Sequence, residues 1–172
     1  MSILSNRLVE FIPCGLRQGR FLSNGKELHM LKGISNLISP ELLKILMEMG
    51  HGDEIVLGDG NFPAASYAHR LVRCDGHGIP ALLEAILELF PLDVYVNKPV
   101  ALMAVVPGDN TPDPVIWQTY ESILQKHGQK PEQIEHMERF DFYERAKNAF
   151  AVIATGESAI YANILLKKGV IK

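Results

Sequence analysis

The stretch SPELLKILMEMGHGDEIVLGDG, residues 39–60, predicts a helix that is followed by a buried strand. Residues 39–41 supply a capping serine, a proline suited to the first helical position, and a glutamate that meets the positive end of the helix dipole. Large apolar residues then recur at helical spacing, and Gly50 is expected to end the helix. Residues 54–58 follow as a short strand that runs into the turn-rich loop 59–63.

The rest of the chain repeats this alternation of helix and strand. Further strand candidates lie near 71–73, 134–137, 151–154 and 163–166, and further helix candidates lie at 80–90, 113–127 and 141–150. Residues 100–106 form a continuous apolar run, which is typical of a strand that is covered on both faces. The pattern therefore predicts an α/β fold with three layers, α/β/α, around a mostly parallel or mixed central sheet.

The bulk composition excludes several classes of protein. The chain has 172 residues, 47% of them hydrophobic, which is enough for one domain that buries about 70% of its unfolded surface. A formal net charge of −3 with mixed signs gives no basic patch for nucleic acid, and no apolar run approaches the ~20 residues of a membrane span. The two cysteines, Cys14 and Cys74, form no disulfide framework; we expect Cys74 in the core and a reducing, cytoplasmic location.

The amino-terminal segment differs from the remainder of the chain. Residues 1–29 carry more basic than acidic side chains and no uninterrupted apolar run of the kind a signal peptide needs. We interpret 1–29 as an N-terminal extension whose order the sequence leaves open, and 30–172 as a single domain. The alternative is that apolar residues of the extension pack on this domain or on a neighbouring molecule.

Cofactor motifs are absent from the sequence. Neither GxGxxG nor GxxxxGK[ST] occurs, so no nucleotide cofactor is expected. The six histidines show no HxH, HxxxH or HExxH spacing, so no catalytic metal is expected either. Any chemistry is predicted to rest on side chains alone, with no cofactor.

Two titratable residues flank the first strand candidate. His51 lies between two glycines, and imidazole is the side chain best suited to move protons near neutral pH. Asp59 stands at the carboxyl end of the strand, where open α/β sheets collect ligands. The alternatives are a surface or helix-capping histidine and an aspartate that only stabilises its own turn. We interpret Asp53 and Glu54 as charges that are either solvated or next to a helix.

Three polar residues in the last third of the chain are suited to bind a neutral polyol. The guanidinium of Arg139 can bond two hydroxyls at once, unless it pairs with Glu138 or Glu144 instead. Tyr161 and Asn163 are two residues apart at a strand entrance, so in an extended chain they face the same side. A phenol and an amide on one side can read sugar hydroxyls; the alternative is ordinary edge-strand chemistry.

Five separated stretches of the chain carry a family resemblance. They are Ile38 to Leu43, Met49 to Ile55, Asp59 with Phe62-Pro63, Arg139 to Ala146, and Thr155 to Gly169. In this order, from Met30 to Lys172, they resemble the fucose mutarotase branch of the ribose pyranase/fucose mutarotase family. Two positions depart from the common pattern: Asn61 stands where fucose-type members often have histidine, and Ala162 replaces a common glycine.

The resemblance implies a cofactor-free isomerase that interconverts the α and β anomers of L-fucose, or the pyranose and furanose forms of related sugars. It implies that His51 is the proton donor and that Asp59, Arg139, Tyr161 and Asn163 bind the sugar. The catalytic base stays open between Asp59, a tyrosine and a bound water. Non-catalytic sugar binding, ribose pyranase-type specificity, and a metal-dependent hydrolase built on His51, Asp53 and Asp59 are the alternatives.

The resemblance also implies a homo-oligomer, a ring-shaped decamer. His51 and Asp59 are separated by a strand, and eight extended residues span ~26 Å, which one monosaccharide cannot bridge. We therefore expect sites between subunits, with His51 from one chain and Asp59 from the next.

Overall fold

The structure, a computed structural model, describes residues 31–109 and 114–171. Within these ranges helices and strands alternate along the chain. The elements are α1 (Pro40–Glu48), β1 (Glu54–Gly58), α2 (Ala64–Tyr67), β2 (Leu71–Cys74), α3 (Ile79–Leu87), β3 (Val100–Met103), α4 (Val115–Lys126), a 3-10 turn (Pro131–Gln133), β4 (Ile134–Met137), α5 (Arg139–Lys147), β5 (Ala151–Thr155) and β6 (Ile164–Lys167). The proposed extension 1–29 lies outside the described residues, so its interpretation stays a prediction.

Six strands form one mixed sheet in the order β2-β5-β1-β6-β3-β4. Strands β1 and β2 each pair in parallel with β5, and β3 pairs in parallel with β4. Strand β6 lies between the two groups and is antiparallel to both β1 and β3. The carboxyl ends of the other strands therefore meet at one edge of the sheet, together with the amino end of β6. The predicted mixed sheet is confirmed.

Helices cover both faces of this sheet, which confirms the three-layer prediction. On β1, Ile55 and Leu57 face one core cluster, to which α1, α3 and α4 contribute. Val56 faces the opposite cluster, to which α2 and α5 contribute. The side chains of Ile55, Val56 and Leu57 are fully buried. Each large apolar side chain that is buried in this way contributes roughly 1.5–3 kcal/mol.

Helix α1 begins as the sequence predicts and ends earlier. The Ser39 hydroxyl accepts a hydrogen bond from the backbone N–H of Leu42 at 3.1 Å. The helix stops at Glu48 because Met49 is already extended, with ψ 137°. Gly50 is thus not the terminating residue; the left-handed position is Gly52, with φ 88°, in the turn that carries His51.

Glu54 is not solvated, which was one of its two interpretations; it is a charge next to helix α5, which was the other. Its carboxylate accepts two hydrogen bonds from Arg145, at 2.8 and 3.0 Å, and one from Lys167 at 3.0 Å. Arg145 also pairs with Glu135 at 3.0 Å. Burial alone would raise the pKa of Glu54, but the hydrogen bonds and charges of Arg145 and Lys167 outweigh it and lower that pKa. The first residue of β1 is therefore tied to α5, β4 and β6.

Several predicted boundaries shift by a few residues. The apolar run from 100 forms a strand only as far as Met103, where pairing with β4 ends. Helix α5 begins at Arg139, because Glu138 caps it by accepting from the N–H groups of Phe140 and Asp141. Cys74 is buried with a free thiol, as predicted.

Candidate functional site

A cavity of about 280 Å³ opens at the edge where the carboxyl ends of the parallel strands meet. Asp59 follows β1, Met103 ends β3, Arg139 lies beyond β4, and Asn163 precedes β6. The cavity is lined by Asp59, Asn61, Phe62, Met103, Asp109, Arg139, Tyr143, Ile160, Tyr161 and Asn163. This edge is where ligands bind in open α/β sheets. Four of the predicted site residues therefore meet: Asp59, Arg139, Tyr161 and Asn163.

Asp59 and Asn163 form a buried, doubly hydrogen-bonded pair on the cavity floor. The backbone N–H of Asp59 donates to Asn163 Oδ1 at 2.9 Å, and Asn163 Nδ2 donates to Asp59 Oδ2 at 3.0 Å. Asp59 Oδ1 accepts from the N–H of Asn61 at 2.9 Å. Burial raises the pKa of Asp59, although these hydrogen bonds and those of the Ala162 and Phe62 N–H groups oppose the rise. Asp59 is thus both a local turn residue and a cavity carboxylate.

Tyr161 reaches the cavity by a route that the sequence reasoning did not foresee. The expected extended chain from 161 to 163 is wrong, because β6 begins at Ile164 and Tyr161 has φ 56°. Such a left-handed conformation is costly for a bulky residue and persists only when its surroundings hold it. The indole N–H of Trp117 donates to the Tyr161 carbonyl, and the Tyr120 hydroxyl donates to the Ala162 carbonyl, each at 2.9 Å. Aromatic residues of α4 therefore fix this turn.

The phenol of Tyr161 and the guanidinium of Arg139 complete the polar lining. Tyr161 Oη donates to Asp109 Oδ2, and this hydrogen bond raises the pKa of Tyr161. Arg139 packs over the ring of Phe140 at 4.6 Å, and its buried Nε has no hydrogen-bond partner among residues 31–109 and 114–171.

The predicted alternative for Arg139, a salt bridge with Glu138 or Glu144, is wrong. Glu138 caps α5, and Glu144 pairs with Lys147 instead.

Aromatic side chains also line the cavity. The Phe62 ring lies 5.7 Å from that of Tyr143 and 6.2 Å from that of Phe142, both in edge-to-face geometry. Gly58 permits this packing, since a Cβ there would lie 2.8 Å from Phe62. Burial raises the pKa of Tyr143, while the charge of Arg139 opposes the rise. Tyr143 has no predicted role in the sequence pattern, yet its position four residues after Arg139 places both residues on one helical face.

His51 lies elsewhere on the molecule. It precedes β1, whereas Asp59 follows it, so the strand separates the two residues. The imidazole, with its side chain 47% exposed, has Nε2 at 3.3 Å from Asp93 Oδ1 and packs edge-on against Tyr95. Within one chain His51 thus does not reach the cavity. Its partner is Asp93, a residue that the sequence did not single out. A lone aspartate in a loop carries no sequence signal of this contact.

Other site classes find no support in the described residues. Among residues 31–109 and 114–171, no three histidine, cysteine or acidic side chains cluster as a metal site would require. No helix in the described ranges is both long and apolar enough to cross a lipid bilayer.

Known proteins resemble this chain over almost the whole described region. Residues 32–171 match the RbsD / FucU transport protein family. A fucose mutarotase of Homo sapiens is 54% identical over 149 residues, which cover 82% of this chain and 94% of that protein. An L-fucose mutarotase of Actinobacillus pleuropneumoniae is 53% identical over 141 residues, with 82% and 97% covered. The crystal structure of a fucose mutarotase in complex with L-fucose, from Streptococcus pneumoniae, has 56% identity and a TM-score of 0.80, and covers 83% of this chain and 100% of that one.

Proposed function

This chain belongs to the RbsD / FucU family, and we propose that it is an isomerase that interconverts the α and β anomers of L-fucose. The observation that carries the proposal is the cavity at the sheet edge, where a buried carboxylate, an amide, a phenol and a guanidinium surround about 280 Å³. These groups can donate to and accept from several hydroxyls at once, which suits a neutral sugar. Asp59, Arg139, Tyr161 and Asn163 are the proposed sugar-binding residues.

The proposed reaction is acid–base ring opening. A proton reaches the ring oxygen from His51, and the anomeric hydroxyl loses its proton to a base. The bond between C1 and the ring oxygen then breaks and leaves an open-chain aldehyde. Rotation about the C1–C2 bond and the reverse proton transfers close the ring on the other face. A positioned acid and base contribute ~10²–10⁴-fold, and the cycle leaves no net oxidation and consumes no cofactor.

The apolar wall supports a 6-deoxy sugar as the substrate. Phe62, Met103 and Ile160 form the apolar wall of the cavity. The C6 methyl of L-fucose is the one apolar substituent on that sugar, and it can pack against this wall. Ribose in its pyranose form has no such methyl group, so ribose pyranase-type specificity would leave the wall unused. We therefore propose L-fucose rather than ribose.

Active sites shared between subunits are the proposed arrangement. Within one chain His51 and Asp59 lie at opposite ends of β1, whose five residues alone span about 13 Å. Exposed apolar side chains lie beside both half-sites: Val94 and Tyr95 near His51, and Phe140 and Ile160 near the cavity. A contact between these two different surfaces on neighbouring subunits is head-to-tail, and its repetition from subunit to subunit forms a closed ring. We propose a homo-oligomer of this kind, a decamer, in which His51 of one subunit completes the cavity of the next. The free, buried thiol of Cys74 supports the proposed cytoplasmic location.

Saturation-transfer NMR on equilibrated L-fucose tests the function directly. We expect the protein to accelerate exchange between the α and β signals, to act more slowly on ribose, and to keep its rate after exhaustive chelation. Sugar binding without faster exchange would identify a non-catalytic binding module instead. Activity that survives chelation would remove the metal-dependent hydrolase as an alternative.

A further inference from the structure

The Tyr161 residue is held both at its backbone and at its hydroxyl. The backbone has φ 56°, and its carbonyl accepts a hydrogen bond from the Trp117 indole N–H at 2.9 Å. The hydroxyl donates to Asp109 Oδ2, a carboxylate on the loop that follows β3. The phenol, which lines the cavity together with Asp109, therefore has little freedom to turn.

A tight turn places Asp109 beside this phenol. The Asp109 N–H donates to the Val106 carbonyl at 3.0 Å, which closes a β-turn. Pro107 and Gly108 occupy its two central positions, and Gly108 has φ 89°, as a type II turn requires. The Val106 N–H also donates a hydrogen bond to the Tyr161 hydroxyl oxygen. The turn thus supplies the hydroxyl with both an acceptor and a donor.

The contact with Asp109 decides what the Tyr161 hydroxyl can offer to a sugar. A phenol has one proton to donate, and a carboxylate only accepts hydrogen bonds. The Tyr161 proton therefore points to Asp109, and this hydrogen bond, followed by partial burial, raises the pKa of Tyr161. The hydrogen bond from Val106 and the charge of Arg139 oppose the rise. The Tyr161 oxygen is left as an acceptor for a hydroxyl in the cavity.

Neighbouring polar groups of the cavity have the opposite polarity. The Arg139 guanidinium only donates hydrogen bonds. Asn163 Nδ2 donates one hydrogen to Asp59 Oδ2 at 3.0 Å, and its second hydrogen makes it a further donor. An acceptor at Tyr161 complements these donors, because a sugar hydroxyl can donate one hydrogen bond while it accepts another.

We propose that Asp109 is a positioning residue that holds the Tyr161 hydroxyl as a hydrogen-bond acceptor, so that the cavity selects a sugar whose hydroxyl at this position donates a hydrogen bond. This role depends on the proposed binding of L-fucose in the cavity. It separates sugars by chemistry rather than by size. Fluorine at the same carbon cannot donate, so it leaves the Tyr161 oxygen without a partner and lowers affinity.

Binding of L-fucose and of its 2-, 3- and 4-deoxyfluoro analogues, measured by titration calorimetry, tests this selection. In the wild type, fluorine at the carbon whose hydroxyl donates to Tyr161 should weaken binding about tenfold. Tyr161→Phe should remove this penalty, because the acceptor is gone. Asp109→Ala should reduce it to about twofold or less, because the released phenol proton can then point to the sugar. Asp109→Asn should keep most of the penalty, because the amide oxygen still accepts the phenol proton.

The ionisation of Tyr161 gives a second readout that needs no sugar. In protein with ¹³C-labelled tyrosine, the Cζ signal of Tyr161 is the one that Tyr161→Phe removes. In Asp109→Ala this phenol should lose its proton at a lower pH than in the wild type, because the pKa that Asp109 raises returns toward the usual value near 10. Asp75→Ala is the matched control: Asp75 is an exposed carboxylate after β2 that accepts from Arg73, and its loss should change neither readout.

Each readout has a result that would overturn the role of Asp109. If Asp109 only shapes its loop, Asp109→Ala weakens the binding of L-fucose and of every analogue by the same factor, and the wild-type fluorine penalty persists. The other contrary result is a Tyr161 phenol that stays protonated to as high a pH in Asp109→Ala as in the wild type. A wild-type protein that binds no L-fucose would instead refute the proposed function, while the titration of Tyr161 would still decide its contact with Asp109.

Discussion

Replacing Asn163 with aspartate should make the stability of this protein strongly dependent on pH. In the native protein Asn163 Nδ2 donates to Asp59 Oδ2 at 3.0 Å, and both side chains are at most 5% exposed. Asn163→Asp keeps the shape of the side chain but replaces this donor with a second carboxylate oxygen. Two charges at that separation repel by about 5 kcal/mol if the effective dielectric constant is roughly 20.

The protein can avoid this repulsion by sharing one proton between the two carboxylates. The pair then titrates with one apparent pKa far above the usual value near 4. At pH values between the unfolded pKa near 4 and the raised pKa of the pair, the native state binds one more proton than the unfolded state. The free energy of unfolding therefore falls as pH rises, by up to ~1.4 kcal/mol per pH unit. We expect Asn163→Asp to be close to the wild type at pH 5 and about 3–4 kcal/mol less stable at pH 8.

Urea unfolding at pH 5 and pH 8, at one fixed protein concentration, measures this difference. Asn163→Leu is the control, because it leaves Asp59 without its partner but adds no titratable group. Its loss, about 1–3 kcal/mol for an unpaired buried polar group, should change far less over the same pH interval. An Asn163→Asp protein whose loss of stability is the same at both pH values would show that the buried contact between residues 59 and 163 is not formed as described.

Three further changes test other parts of the structure. Arg145→Met should lower the free energy of unfolding by about 3 kcal/mol at pH 7, because it leaves Glu54 with only Lys167. Since the pKa of Glu54 is lowered in the native protein, this loss of stability should shrink as pH falls below ~4. A loss that urea unfolding shows to be the same at acid and neutral pH would contradict the role of the pair. Arg139→Lys should raise KM for L-fucose about tenfold with a smaller effect on kcat, because lysine cannot bond two hydroxyls in one plane. Arg73→Lys, at the exposed pair with Asp75, is the control and should leave KM unchanged. Equal KM values for the two variants would show that Arg139 does not bind the sugar. Gly169→Ala should lower kcat more than sugar affinity, because the added Cβ would lie 2.5 Å from the Leu92 carbonyl oxygen and displace the loop of Asp93. Gly76→Ala is the control, since a Cβ there meets nothing within 4 Å. Weaker sugar binding with a normal kcat would contradict this prediction.

The sequence predicted the layers of the fold because its signals are local. The apolar run at 100–106 and the alternation of helices and strands along the chain both indicate a sheet that is covered on two faces. The two core clusters, one on each face of the sheet, confirm this prediction. Boundaries were less predictable where tertiary contacts decide them. Arg139 joins α5 because the Glu138 side chain caps the helix, and Glu54 is buried because Arg145, 91 residues away, neutralises it.

The cavity was predictable in part for the same reason. Asp59 could be placed from the rule that ligands collect at strand ends, which depends only on the strand before it. Tyr161 and Asn163 were assigned together on the assumption of an extended chain, yet they meet because Trp117 and Tyr120 hold a left-handed turn. The contact between Asp93 and His51 joins two loops that are far apart in sequence, and no local pattern encodes it.

The central claim is that His51 of one subunit and the cavity of another form one acid–base site. Coexpression of His51→Ala subunits and Arg139→Met subunits carrying different tags, with isolation of assemblies that contain both, tests it most directly. Each variant alone should accelerate the exchange of L-fucose anomers little. Random mixing around a ring should restore about a quarter of the wild-type activity, because one site in four then receives both intact halves. Mixed assemblies as inactive as their parents, or a wild-type protein that leaves the exchange at the rate of buffer, would contradict the account.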